Sequence, residues 1–444
     1  MIKNIIFLTI FIFSQIGFSQ LSNKHWIPPL HSRDITAIQD HYIYLSTPET
    51  TPFTVTITDG LGTPITGSPF TISATSPVSV LIGNGSNTKM FVDISRVNTV
   101  LIDRGLILEG SKDFYVSFRM RHTSHAETLI SKGISGKGKN FRVGYMINDL
   151  IDSRKSFVTS LMATEDGTSV SLTGYDTNVT FATSSGVMTL TNQSFFLDAG
   201  ESIIFSGYSN NPDNIQGAIG ALISSNKDIV VNSGNALGGV QNGRGDFAID
   251  QIVSSSQIGT EYIFIEGNGT PDMEKPLIIA HEDNTEVYVN NISTPIAVLK
   301  GKLIIDESEI TIDDKIYDLS KIQDFKIKIT DYFGQRTNYT KSGPYYYQGI
   351  NNSNLYVRSS KPVFAYQPIG GGFDTATSGL NFIPPLSCFF QNSVIIPAVN
   401  RIGGVSYTAD LMILTYASSS LTVNGVPIPL SDAQNVLGNS DWVT

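Results

Sequence analysis

Phe53-Thr54-Val55-Thr56-Ile57-Thr58-Asp59-Gly60 is the stretch whose reading decides the fold. Apolar residues at 53, 55 and 57 alternate with threonine, and a period of two in β-branched company predicts a half-buried strand. The Asp-Gly pair that ends it tolerates the backbone angles of a tight hairpin. The same pattern returns as Ser169-Val170-Ser171-Leu172 before Gly174-Tyr175-Asp176, as Glu286-Val287-Tyr288-Val289 before Asn290-Asn291, and as Leu421-Thr422-Val423 before Asn424-Gly425. The turns recur at intervals of roughly 115 residues, the third being longer, which is the signature of a repeat array.

A second landmark keeps the same register. An apolar strand runs into a polar corner with lysine at Leu106-Ile107-Leu108 before Ser111-Lys112-Asp113, and at Leu222-Ile223 before Asn226-Lys227-Asp228. A third copy is Leu355-Tyr356-Val357 before Ser360-Lys361-Pro362. The expected fold is all-β, as tandem β-sandwich-like repeats of roughly 115 residues, with a propeller-like arrangement as the alternative. The units are expected at 20–125, 126–240, 241–373 and, incomplete, 374–444. The extra length of the third falls at 302–336, where Asp306, Glu307, Glu309, Asp313, Asp314, Lys315 and further charges crowd together. Burying such density is costly, so this stretch is expected as a solvated excursion.

Residues 1–19 read as an export signal: Lys3, the apolar run Ile5 to Phe13, then Gly17 and Ser19 before Gln20. The run is shorter than the roughly 20 residues a spanning helix needs, so no membrane insertion is expected. The single cysteine, Cys388, excludes an internal disulfide, and stability must come from apolar burial. A net charge of −10 argues against nucleic acid as a partner.

Candidate chemistry is sparse. His122, His125 and Glu127 are the best metal candidates by ligand type, but a loop role after a strand explains them as well. Glu165-Asp166-Gly167 and Glu282-Asp283-Asn284 occupy matching positions where calcium is conceivable, although turn chemistry accounts for both. Arg244-Gly245-Asp246 is an integrin-type tripeptide that arises easily by chance, and Tyr345, Tyr346 and Tyr347 could form a contact platform or fill a sheet. No strand-to-helix nucleophile motif is present, so no catalytic residue, metal or cofactor is assigned.

Several stretches taken together resemble a known family. They are Lys112 to Arg119, His125-Ala126-Glu127 leading to Ser131-Lys132-Gly133, Asp246-Phe247-Ala248-Ile249-Asp250-Gln251-Ile252, Gly259 to Ile263, and Ser360 to Tyr366. They resemble the IgGFc-binding protein N-terminal domain family, in the form carried by exported surface proteins of flavobacterium-like bacteria. The resemblance implies a secreted or cell-surface binding or adhesion protein with a protein or polysaccharide ligand, and a link to type IX secretion. It brings no matched binding residues. A structural spacer is the alternative function, and a secreted hydrolase the remaining one.

Overall fold

The computed structural model describes residues 20–444 apart from 32–37, 124, 149–151, 242–243, 266, 268–273, 275, 300–325, 329–338, 343–345, 350–353, 371–376, 389–390 and 410. The expected export signal therefore lies outside the described residues. Among these there is no α-helix, and strands assemble into three seven-stranded sheets. The first holds β1 (Ser22–Ile27), β2 (Gln39–Ser46), β3 (Phe53–Asp59), β4 (Phe70–Ile72), β5 (Val78–Gly83), β6 (Leu106–His122) and β7 (His125–Ile130). The second holds β8 (Gly138–Arg142), β9 (Phe157–Ala163), β10 (Thr168–Thr173), β11 (Gln193–Leu197), β12 (Ser202–Ser206), β13 (Leu222–Gln241) and β14 (Arg244–Ile252). The third holds β15 (Gly259–Ile265), β16 (Leu277–Ala280), β17 (Thr285–Val289), β18 (Ala297–Leu299), β19 (Lys326–Lys328), β20 (Asn354–Ile369) and β21 (Gly379–Phe382).

All three sheets have one topology. A long strand, β6, β13 or β20, is the axle. Its first half lies between the first and third strands of the unit, as in the pairs Trp26↔Ile107 and Ile57↔Leu108. Its second half lies between the second and seventh, as in Leu45↔Val116 and Phe118↔Leu129. The inward residues of both halves, Val55, Ile57, Leu108, Leu45, Val116 and Phe118 among them, meet in one core, which makes each unit sandwich-like. One axle serves the whole unit, so the alternative of separate propeller blades does not describe it.

The lysine corners fall where the axle changes partners, and each lysine ties down the turn between the second and third strands. Lys112 Nζ lies 2.8 Å from Glu49 Oε2, while Lys227 and Lys361 donate at 2.5 Å to the carbonyls of Asp166 and Asp283. These carbonyls belong to the two turns where calcium was conceivable.

Two expectations about the hairpins need correction. The positive φ of the first hairpin is at Gly62 (+79°), not Gly60. Gly60 instead permits close approach to the second unit, since a Cβ there would sit 2.5 Å from Gly200 O. The strand after Gly174 does not return at once, because the hairpin Thr180–Thr183/Gly186–Thr189 intervenes before β11. The charged stretch 302–336 lies outside the described residues except at Lys326–Lys328, and there its backbone pairs with Leu277–Ile279 as the edge strand β19.

After β21 the described residues form only two-stranded pairs, among them Leu421–Val423 with Val426–Ile428. This tail packs on both ends of the array. Residues 391–403 lie on the first sheet, while Val436 and Trp442 cover Ile263 and Tyr356 of the third.

The units also meet each other by one rule. The outward residues of β9 and β13 in the second unit include Met162, Val230 and Asn232. They are covered by the first unit: Trp26 packs on Met162 and Val230, and Asn232 Nδ2 donates to Pro28 O at 3.0 Å. Tyr366 stands in the third unit where Asn232 stands in the second, five residues beyond the corner lysine, and its hydroxyl donates to Arg142 O at 2.7 Å. Each unit thus covers the same face of the next.

Candidate functional site at the junction of the sheets

The seventh strands, β7, β14 and β21, come together where the sheets meet, with β14 between the other two. On β14 the carboxylates of Asp246 and Asp250 are four residues apart and share one face, as the period of two requires. Both reach across to the neighbouring strands. Asp246 Oδ1 lies 2.6 Å from His125 Nδ1, and its Oδ2 accepts from Ser378 N at 3.1 Å. Asp250 Oδ2 accepts from Lys132 Nζ at 2.9 Å and from Phe382 N at 3.1 Å, while Oδ1 accepts from Gln251 N at 2.8 Å. Gln251 adds a third tie, since its Oε1 accepts from Lys132 N at 2.6 Å and its Nε2 donates to Trp26 O at 2.8 Å.

Glu127 completes the cluster. It is buried, accepts from Thr128 N at 2.7 Å and from Ile249 N at 3.4 Å, and touches no cation in these contacts. Burial, with the nearby charges of Asp250 and Asp246, pushes its carboxyl well above the ordinary range. Burial also raises Asp246, against the pull of His125. The Lys132–Asp250 pair has side chains only 9% and 8% exposed. Such a pair gains little over an apolar contact but is costly to break on one side, so it fixes register between units more than it adds stability.

This cluster takes in His125, Glu127 and Asp246 of the residues singled out by sequence. The His122 and His125 rings lie tilted with centroids 5.6 Å apart, but His125 engages Asp246 and Glu127 engages main-chain N–H groups. Among the described residues no group of three His, Cys, Asp or Glu is placed to hold a metal. Asp246 of the Arg-Gly-Asp tripeptide is buried in the junction, so that carboxylate is not offered at a loop tip. Ser378 Oγ donates to Gly238 O at 3.0 Å and accepts from Asp246 N; neither bond is to an imidazole, as nucleophile activation requires. Tyr345 lies outside the described residues, and of Tyr346 and Tyr347 only the backbone is described, in a strand paired with Tyr339–Ser342. The roles of Asp250, Gln251 and Ser378 were not assigned from sequence. The equal parity of Asp246 and Asp250 was the available signal, but nothing local says which strands they clamp.

The class defined here is an all-β array whose polar cluster joins units. Residues 126–317 match the family model of IgGFc binding protein, and the matched span takes in Glu127, Lys132, Asp246, Asp250 and Gln251. It supports the resemblance drawn from the motifs. No curated protein and no solved structure matches the chain.

Proposed function

We propose that this chain is an exported bacterial surface protein that binds a protein or polysaccharide ligand and performs no catalysis. The observation that carries this reading is the family match over 126–317, which spans the whole second sheet. The geometry is in keeping with it, because the densest polar cluster spends its hydrogen bonds on neighbouring strands and main chain. Rigid sandwiches joined in register leave their connecting loops as the variable surface, and function on such scaffolds concentrates in loops. We further read the chain as repeat units near 20–125, 126–240 and 241–373, followed by a further segment at 374–444. Among the described residues no helix is long and apolar enough to cross a membrane.

The test has two parts. Protease shaving of intact native cells should release peptides of this chain. Beads coated with the full chain should adhere to native exopolysaccharide or host matrix protein above albumin-coated beads. Surface exposure without adhesion would favour the spacer; retention inside the cell would sink the export reading.

A further inference from the structure

Lys132 and Asp250 form an ion pair at the junction, and they are also placed as the two halves of an amide. Nζ and Oδ2 lie 2.9 Å apart, and the two residues are 7% and 6% exposed. The other carboxylate oxygen, Oδ1, accepts from Gln251 N at 2.8 Å and from Ile130 N at 3.4 Å. Two main-chain donors thus converge on the oxygen that gains negative charge when an amine adds to Cγ. Phe382 N, 3.1 Å from Oδ2, fixes the carboxyl from the third sheet. Beside the pair stands a second buried acid. Glu127 accepts from the main-chain N–H of Ile249, the residue before Asp250, at 3.4 Å. It is close enough for the charge of Asp250 to act on it, and burial raises its affinity for a proton.

We infer that Lys132 and Asp250 condense after folding into an isopeptide bond, with Glu127 carrying a proton between them. A proton first passes from Nζ to Oδ2 along their hydrogen bond, leaving an amine and an acid. The Nζ lone pair then adds to Cγ, and Oδ1, held by Gln251 N and Ile130 N, takes the charge. Glu127 gives its proton to Oδ2 and recovers one from Nζ; the Cγ–Oδ2 bond breaks and Oδ2 leaves as water. Nζ keeps one proton, Oδ1 becomes the amide oxygen, and no further reactant is needed. Folding supplies the proximity, since groups held in contact can react with an effective molarity of about 10⁵ M or more. The product removes two charges from a buried position, where charges are costly. It also ties the turn after β7 to β14 and closes residues 132–250 into a loop, constraining the unfolded chain as a disulfide does. Cys388, the single cysteine, offers no internal disulfide for that purpose. The step is a self-modification without turnover, so it goes beyond the binding function proposed above and stands independently of it.

Mass spectrometry of tryptic digests of the folded full chain tests it. Lys132 should resist cleavage and appear in a branched peptide joined to Asp250, lighter by one water than the sum of its two parts. Separate peptides, with Lys132 cut and Asp250 unmodified, overturn the proposal. The role of Glu127 is read from the rate at which the branched peptide accumulates after cell-free synthesis. Glu127→Gln keeps the shape and cannot carry the proton, so it should slow linking by about 10²-fold, the direct transfer still completing the bond on long standing. An unchanged rate removes Glu127 from the reaction. Protection of the Phe382 amide from hydrogen exchange shows that the variant has kept the site. Should that protection be lost, Glu127→Asp, which draws the acid back by one methylene, replaces it, and an unchanged rate there counts equally against the proton carrier.

Discussion

His25 and Glu127 are both buried on the first unit's side of the junction, and they make opposite demands on pH. His25 is fully buried, with Nδ1 3.0 Å from Ser131 Oγ and Nε2 2.9 Å from Phe114 O. Burial lowers its pKa to about 4, and that of His41 to about 4 as well. The unfolded imidazole titrates near 6.5, so between 6.5 and 4 the unfolded chain binds more protons and stability falls as pH falls, levelling off below. Each histidine contributes about 3 kcal/mol to that loss. Denaturant titrations at pH 7 and pH 4.5 should show a smaller loss for His25→Asn than for the natural chain; an identical loss would refute the assignment. For Glu127 the sign reverses. Its native pKa lies above the unfolded value, so the native state holds the extra proton and stability falls as pH rises from about 4.3 toward the native pKa. Glu127→Gln keeps the shape without the titration, and should raise the melting temperature at pH 8 while leaving it nearly unchanged at pH 4.

Among elements, the repeated hairpins show what alternation predicts and what it does not. Phe53–Asp59, Thr168–Thr173 and Thr285–Val289 were legible because β-branched residues alternate before turn residues, and all three are strands on the first half of an axle. Leu421–Val423 has the same pattern and forms a hairpin, with Asn424 and Gly425 at φ +50° and +78°. Yet Val287 and Val289 are buried, whereas Val426 and Ile428 are exposed. Alternation specifies a strand; whether its apolar face is covered depends on an axle strand that, among the described residues, only the three seven-stranded sheets possess. Hydrogen exchange should therefore be much faster at Leu421–Ile428 than at Thr285–Val289, and equal protection would show that another surface covers the tail hairpin in solution. The axle was itself only half legible. Lys112, Lys227 and Lys361 marked corners in sequence, but strand continuity through each corner comes from the lysine anchoring the adjacent turn.

At the scale of the whole molecule the units are not independent beads. Phe141, Val143 and Ile223 of the second unit share one continuous core with Tyr262, Ile278 and Leu355 of the third. Val158, Ile204, Phe247 and Ile249 of the second join the core of the first. Shared burial couples unfolding, so calorimetry should show the three units melting in one transition, and three resolved endotherms would contradict the shared cores. The sequence by itself determined the all-β class, the repeat interval, and the places where strands end in turns. These rest on local rules: period two, β-branching, and residues that accept positive φ. It also marked Asp246-Phe247-Ala248-Ile249-Asp250-Gln251 as a signature without saying what the signature does. Only the tertiary structure decided that these carboxylates clamp strands of three sheets, that Glu127 is buried beside them with its carboxyl pushed up, and that residues 391–403 lie on the first sheet. The partners in each case are far apart in sequence, and such contacts depend on how folded units meet, which no local pattern encodes.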